Sequence, residues 1–381
     1  MITRLLFVFS MFVPAFSVWA ESGQSLNLTR GVTEISEQVY GLHMTILYIC
    51  IIIGVLVFGV MFWSIIHHRK SKGAVAASFH ESTKVEVAWT VVPFLILVGM
   101  AVPATKVLLA MEDASDPDIT VQVTGSQWKW HYKYFDHDVE YYSLLASSPA
   151  QIANEKPKRE TYLLEVDRPL VLPIGKKVRF LITSEDVIHS WWVPDFAVKK
   201  DANPGFINEA WTKIDKPGIY RGQCTELCGK DHGFMPVVVI AKPVDEFEQW
   251  VQKTAATQLA AKQEEQKLLD MKMPMDDLMS VGEEVYLARC AACHMPNGEG
   301  LAGVFPAIAK ADIAVNPSRV LEHVDTIVNG RQGTAMQAFG KQLTLKELAA
   351  VVTYQRNAWG NNTGESVQAA QINAVLNGKE L

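Results

Sequence analysis

Hydrophobic and polar positions divide the chain into stretches of distinct character. An apolar run from Leu5 to Val18 follows one early cation, Arg4, and closes on Val18-Trp19-Ala20 ahead of Glu21. That pattern predicts a secretory signal over residues 1–20; the run is too short for a membrane helix, and Pro14 interrupts it. Two longer apolar stretches, residues 44–66 and 85–109, can each cross ~30 Å of hydrocarbon as a helix. The loop between them carries Arg69, Lys70, Lys72 and Lys84, whereas residues 21–43 hold a single cation, Arg30. By the positive-inside rule the loop is cytoplasmic and everything beyond Leu109 is exported. Residues 21–110 are therefore expected to form a transmembrane hairpin.

Beyond it the pattern shortens. Ile119–Thr124, Lys129–Tyr134, Thr161–Val166, Val178–Thr183 and Val237–Ile240 are β-rich runs, parted by turn signals such as Asn203-Pro204-Gly205 and Pro217-Gly218. Such spacing over residues 111–243 predicts an antiparallel sandwich or Greek-key barrel. Residues 244–277 are rich in Ala, Gln, Glu and Lys with few large apolar side chains, which reads as a helical linker. Residues 278–360 regain helical periodicity, as in Leu345, Leu348, Ala349 and Val352, and predict a small all-α domain. Residues 361–381 read as a loosely ordered polar tail.

Composition adds little. Of 381 residues 49% are hydrophobic, and the net charge of −6 argues against a nucleic-acid partner. The five cysteines matter more. Cys50 lies inside the first span and suggests helix packing only. The other four fall in two clusters, where an exported protein would ordinarily place disulfides.

Cys290-Ala-Ala-Cys293-His294 has the spacing of c-type haem attachment, with two thiols for the porphyrin vinyl groups and an adjacent histidine for the iron. The same spacing serves thiol oxidoreductases, but those need a thioredoxin-like α/β context that the surrounding helical pattern lacks. Met336, in the Gly-bounded segment Gly333–Gly340, is the expected sixth ligand, since Met/His ligation is usual in cytochromes c; His323 is the rival. Met295, next to His294, cannot reach the opposite face.

Cys224-Thr-Glu-Leu-Cys228-Gly-Lys-Asp-His232-Gly-Phe-Met235 gathers two thiols, an imidazole and a thioether, and His189 stands upstream. Soft ligands of this kind select copper. A Cys224–Cys228 disulfide would leave His232 and Met235 without a role, and zinc would have no use for the thioether.

This loop, Ile188-His189-Ser190-Trp191, Gly125-Ser-Gln-Trp128-Lys-Trp130 and the two spans resemble subunit II of the haem-copper cytochrome c oxidases, over residues 30 to 252. The distal part resembles a class I cytochrome c, so the whole is similar to the bacterial form with that domain fused on. The resemblance implies a cupredoxin Greek-key barrel holding CuA, a mixed-valence copper pair. Cys224 and Cys228 would bridge both ions, His189 and His232 each bind one, and Met235 and the carbonyl of Glu226 complete the set. It also implies that the Glu226 carboxylate faces a Mg²⁺ or Mn²⁺ shared with the catalytic subunit, that Trp128 lies at the electron entry point, and that Glu86 lines the entrance of a proton pathway. Glu185, Asp186 and Asp138 are read as surface acids steering a basic cytochrome c.

The expected architecture is thus multi-domain: a two-helix transmembrane hairpin, an all-β cupredoxin-like barrel and a small all-α cytochrome c domain. The expected function is electron input to a proton-pumping oxidase at the bacterial inner membrane, with both metal domains on the periplasmic side. Expected partners are catalytic subunit I, other oxidase subunits, and cytochrome c or another donor. A stand-alone membrane-tethered redox shuttle to another periplasmic acceptor and a copper-insertion chaperone are the competing readings; the haem and the nearby His232 and Met235 weigh against the chaperone. No residues remain for oxygen reduction, which is therefore placed on another chain.

Overall fold

Thr33 begins the first helix because its hydroxyl accepts from Ser36 N at 3.0 Å while the Ser36 hydroxyl accepts from Thr33 N, also at 3.0 Å. This reciprocal cap satisfies two amides that a helix start leaves orphaned. In the computed structural model, which describes residues 27–331 and 333–378, helix α1 spans Glu34–His67 and helix α2 spans Thr83–Glu112. The expected signal at residues 1–20 lies outside the described residues. Helix α1 starts well before the apolar stretch, since the cap rather than lipid solubility sets its beginning. Val55, Phe62, Trp63, Phe94 and Leu97 on these helices are exposed, an arrangement that suits a surrounding of lipid.

The described chain forms two compact units, one ending at Gln252 and one beginning at Lys253. In the first, ten strands follow the hairpin: β1 Ile119–Ser126, β2 Lys129–Tyr134, β3 Val139–Ser143, β4 Leu170–Pro173, β5 Lys177–Ser184, β6 His189–Val193, β7 Val198–Ala202, β8 Asn208–Lys213, β9 Gly218–Cys224 and β10 Pro236–Lys242. They form two five-stranded sheets, ordered β3-β2-β1-β5-β8 and β4-β10-β9-β6-β7. Strand β5 shows why: Val178, Phe180 and Ile182 are buried while the residues between them are not, the period-two pattern of a half-buried strand. Trp130, Tyr132, Phe180 and Trp191 fill the core.

Two findings depart from expectation. The pairs β1/β5 and β4/β10 are parallel, which non-consecutive strands joined by long connections permit. Residues 161–166 form turns rather than a strand: Leu163 has φ 62°, and Val166 makes only an isolated bridge to Leu145. The alternation of Tyr162, Leu164 and Val166 imitates a strand without a neighbour to pair with.

The hairpin is stitched to the sheets at both ends. Val32 N donates to Asp195 O at 2.8 Å, Asp215 N to Val32 O at 3.0 Å and Thr33 Oγ1 to Phe196 O at 3.2 Å. At the far end Trp211 Nε1 donates to Ala110 O at 3.0 Å, and Lys200 pairs with Glu112 at 3.0 Å.

Helix α3, Val244–Leu268, opens with Phe247 and Trp250 packed against Tyr134 in the first unit. In the second unit, Glu265 near its other end accepts from Leu345 N at 2.9 Å. That unit continues with α4 Met275–Arg289, α5 Ala291–His294, α6 Val320–Asn329, α7 Leu345–Asn357 and α8 Ala369–Leu376. Helices α4 and α7 cross at Gly282, where a Cβ would lie 2.2 Å from Ala350 O, so only glycine permits this approach. The segment read as a loose polar tail contains α8, with Val367, Ala369 and Ile372 buried in the core of the unit. Polar residues between these three conceal their apolar spacing.

Gly31 is where the seam can be tested, because a Cβ there would lie 2.2 Å from Asp195 O and 2.4 Å from Ser36 Cβ. Gly31→Ala is expected to cost ~1–3 kcal/mol. Thermal unfolding of the detergent-solubilised chain reads this as a lower midpoint; an unchanged midpoint would mean that the seam does not stabilise the unit.

Candidate metal centres

Strands β6 and β9 bring the first site together. Trp191 pairs with Cys224 and Trp192 with Gln223, which sets His189, at the head of β6, beside Cys224, at the end of β9. Thr225 N extends the pairing to Ser190 O at 3.1 Å. The approach is so close that a Cβ on Gly222 would lie 1.8 Å from Trp192 O. The loop after Cys224 then returns Cys228, His232 and Met235 to the same place before β10 begins.

The resulting distances are short. Cys224 Sγ and Cys228 Sγ are 3.9 Å apart, Cys228 Sγ is 3.3 Å from His232 Nδ1 and 3.6 Å from Met235 Sδ, and Cys224 Sγ lies 3.4 Å from Glu226 O. Ligand atoms of His189, Cys224 and Cys228, all buried residues, lie within 4.8 Å of one another. His189 Nδ1 is buried without a hydrogen-bond partner. An orphaned imidazole nitrogen beside two thiols and a thioether is the donor set a soft metal requires, so these residues fit copper. None of the five cysteines forms a disulfide. The Glu226 side chain is exposed; the backbone oxygen, rather than the carboxylate, joins the cluster.

Electrostatics point the same way. Hydrogen bonding with Cys228 holds the Cys224 thiol far below the ordinary thiol range, and the same bond pushes Cys228 up. Metal binding at thiols of this kind releases protons.

Asp186, read from sequence as a steering acid, also supports the site. Its carboxylate accepts from Gln127 N at 2.8 Å and Val187 N at 2.7 Å and bonds His189 Nε2 at 2.9 Å. Burial opposes its charge, but these bonds hold it below the usual carboxylate range. Burial likewise opposes charge on His189, and the Asp186 carboxylate with the neighbouring Cys224 sulfur outweighs it, raising the imidazole.

The Gly125–Trp130 segment contributes more than an aromatic ring. A Cβ on Gly125 would lie 2.8 Å from His189 Cδ2, so the glycine makes room for the imidazole. Gln127 Nε2 and Trp128 Nε1 both donate to Cys228 O, at 2.8 and 3.2 Å, and Trp130 Nε1 donates to Met235 O at 3.2 Å. Trp128 is half-buried against the loop. Glu86 is exposed in the first turn of α2.

The second site is local. Cys290 caps α4, and Cys293 and His294 follow within one turn, their amides donating to Cys290 O at 3.1 and 2.9 Å. Tyr286 Oη donates to Met295 O at 2.7 Å and holds that turn from beneath. His294 Nδ1 donates to Pro306 O at 2.9 Å, which leaves Nε2 as the ring nitrogen available to iron. Burial pushes the Cys290 thiol up to about 12. Met336 is half-buried against the core. His323 is buried with its Nε2 engaged by Gln355 at 2.9 Å. Two thiols, a half-buried histidine with a free nitrogen and an apolar bed fit a covalent haem.

Residues 119–242 match the family model of the cytochrome c oxidase subunit II periplasmic domain, and residues 21–107 that of the subunit II transmembrane domain. Residues 277–354 match cytochrome c oxidase, cbb3-type, subunit III. A probable cytochrome c oxidase subunit 2 of Rickettsia bellii is 41% identical over 235 residues, covering 61% of this chain and 85% of that protein. Cytochrome c oxidase subunit 2 of Cyanidium caldarium is 38% identical over 221 residues, 58% of this chain and 87% of that protein. The solved periplasmic domain of subunit II of the Bradyrhizobium japonicum cytochrome oxidase is 40% identical, covering 38% of this chain and 98% of that one, with a TM-score of 0.34.

If Asp186 orients His189, Asp186→Ala should weaken copper binding by about 10–100-fold, as loss of a ligand's supporting partner does. Asp186→Asn, which keeps an acceptor, should lose less. Competition against a copper chelator measures both; equal affinities across the series would remove Asp186 from the site.

Proposed function

The chain belongs to the cytochrome c oxidase subunit II family, a membrane-anchored component of the haem-copper oxidase with its metal domains on the periplasmic side, and from that premise we propose the route its electrons take. When bound, the haem at Cys290 and Cys293 and the copper pair supply one-electron redox chemistry in the order external donor, haem c, CuA, catalytic subunit. The observation that carries this reading is the convergence of buried His189, Cys224, Cys228 and Met235 with half-buried His232.

In this reading Cys224, Cys228, His189, His232, Met235 and the backbone oxygen of Glu226 would hold the copper pair, with the two thiolates shared between the ions. The arrangement suits electron transfer because a buried, closely packed ligand set has little freedom to move when the charge changes. Trp128 is the entry point, in keeping with its bond to Cys228 O. The exposed Glu226 carboxylate is assigned to a Mg²⁺ or Mn²⁺ shared with the catalytic subunit, since one carboxylate alone cannot make such a site. Glu86 is assigned to the cytoplasmic entrance of a proton pathway, the default for an ionisable group at a membrane helix end. His294 and Met336 would hold the haem iron, and the setting is the bacterial inner membrane. The domain limits proposed for this activity are 21–110, 111–243, 244–277 and 278–360, the last extended by the packed helix α8.

Two substitutions in the purified oxidase complex test the order. Cys228→Ser should remove the copper pair, leave the covalent haem, and hold that haem reduced when donor is supplied, with oxygen uptake lost. Met336→Ala should slow copper reduction after flash reduction of the haem. Undiminished oxygen uptake in Cys228→Ser would contradict the route and favour a separate redox shuttle; unchanged flash kinetics in Met336→Ala would remove the haem from the path.

A further inference from the structure

Two polar side chains lie deep in the apolar interior of the second unit with no part in the ligand sets. Helix α7 buries Leu348, Ala349, Ala350, Val351 and Val352, and then also buries Gln355, 3% exposed; helix α6 buries His323, 4% exposed. His323 Nε2 and Gln355 Oε1 are 2.9 Å apart. The amide oxygen can only accept, so His323 carries its proton on Nε2. Burial first, and then the charge of Arg356, hold His323 down to about 4, so at neutral pH the ring is uncharged and its tautomer is fixed. With its oxygen held in this way, the Gln355 amide has one orientation left, and its Nε2 lies 4.0 Å from Cys290 Sγ. Asn361 Nδ2 donates to Gln355 O at 2.5 Å and fixes the backbone at the same place.

A buried hydrogen-bonded pair gains little over two apolar side chains of equal volume, so packing alone gives no reason for it here. We propose that Gln355 aims an amide N–H at the Cys290 sulfur to tune the haem attached there, and that His323 is the positioning residue that holds the amide in that orientation. The inference rests on the reading of Cys290 as a haem attachment site. The positive end of the amide dipole at the porphyrin edge favours the electron-richer reduced state, and the dry surroundings strengthen its effect. The pair therefore raises the haem potential.

The test is a spectroelectrochemical titration of the covalent haem in the full-length chain, with Gln355→Met, His323→Phe and the double variant. Gln355→Met keeps the shape and removes the donor, and its midpoint should fall. His323→Phe should shift it in the same direction but less, because the N–H remains and only its orientation is lost. The double variant should match Gln355→Met. A merely structural pair would lower the melting temperature and leave all midpoints at the value of the unsubstituted chain, and that result overturns the proposal. Should Gln355→Met fail to fold, the His323→Phe midpoint decides alone. An unsubstituted chain without covalent haem would sink the underlying reading instead, which haem quantification on the same sample distinguishes.

Discussion

The pairing of β6 with β9 is the contact on which the first metal centre depends. Trp191 with Cys224 and Trp192 with Gln223 carry its register, extended by Thr225 N on Ser190 O, and that register places His189 beside the two thiols. A slip of one residue would turn the imidazole to the other face of the sheet. Several costs elsewhere serve this contact. Gly222 gives up its side chain so that the strands can approach, and Gly125 does so to admit the imidazole. Gln127, Trp128 and Trp130 spend their donors on the carbonyls of Cys228 and Met235, fixing a loop that has no ladder of its own.

The two centres solve the same problem by different means. Cys290, Cys293 and His294 sit within one helical turn, so their geometry is set by local backbone bonds and is supported by Tyr286 and Pro306. The copper ligands come from the head of one strand, the end of another and the loop beyond it. Their geometry exists only when the sheets are assembled. A metal bound there should therefore stabilise the folded first unit, since unfolding disperses the ligands.

This difference also explains what was legible beforehand. Sequence-local groupings, the Cys224–Met235 loop and Cys290–His294, announce their chemistry through spacing alone, and the two long apolar stretches announce the hairpin. Relations between distant residues do not. Asp186 looks like any surface acid until its bond to His189 Nε2 is seen, and Gly125 is mute without the imidazole it faces. Residues 161–166 alternate like a strand but have no partner beyond one bridge. Ala369 and Ile372 are too few to stand out against a polar tail, though α8 buries both. Hydrophobicity does not reveal the beginning of α1, because a capping box at Thr33 and Ser36 decides it.

The central claim is a copper pair bridged by Cys224 and Cys228 on the same chain as a covalent haem. Electron paramagnetic resonance of the detergent-purified full chain, with copper and covalent haem quantified on the same sample, addresses it most directly. The expected result is two coppers for each haem and a signal split by two equivalent copper nuclei, the mark of one electron shared across both thiolates. A single copper per chain, with splitting from one nucleus only, would contradict it.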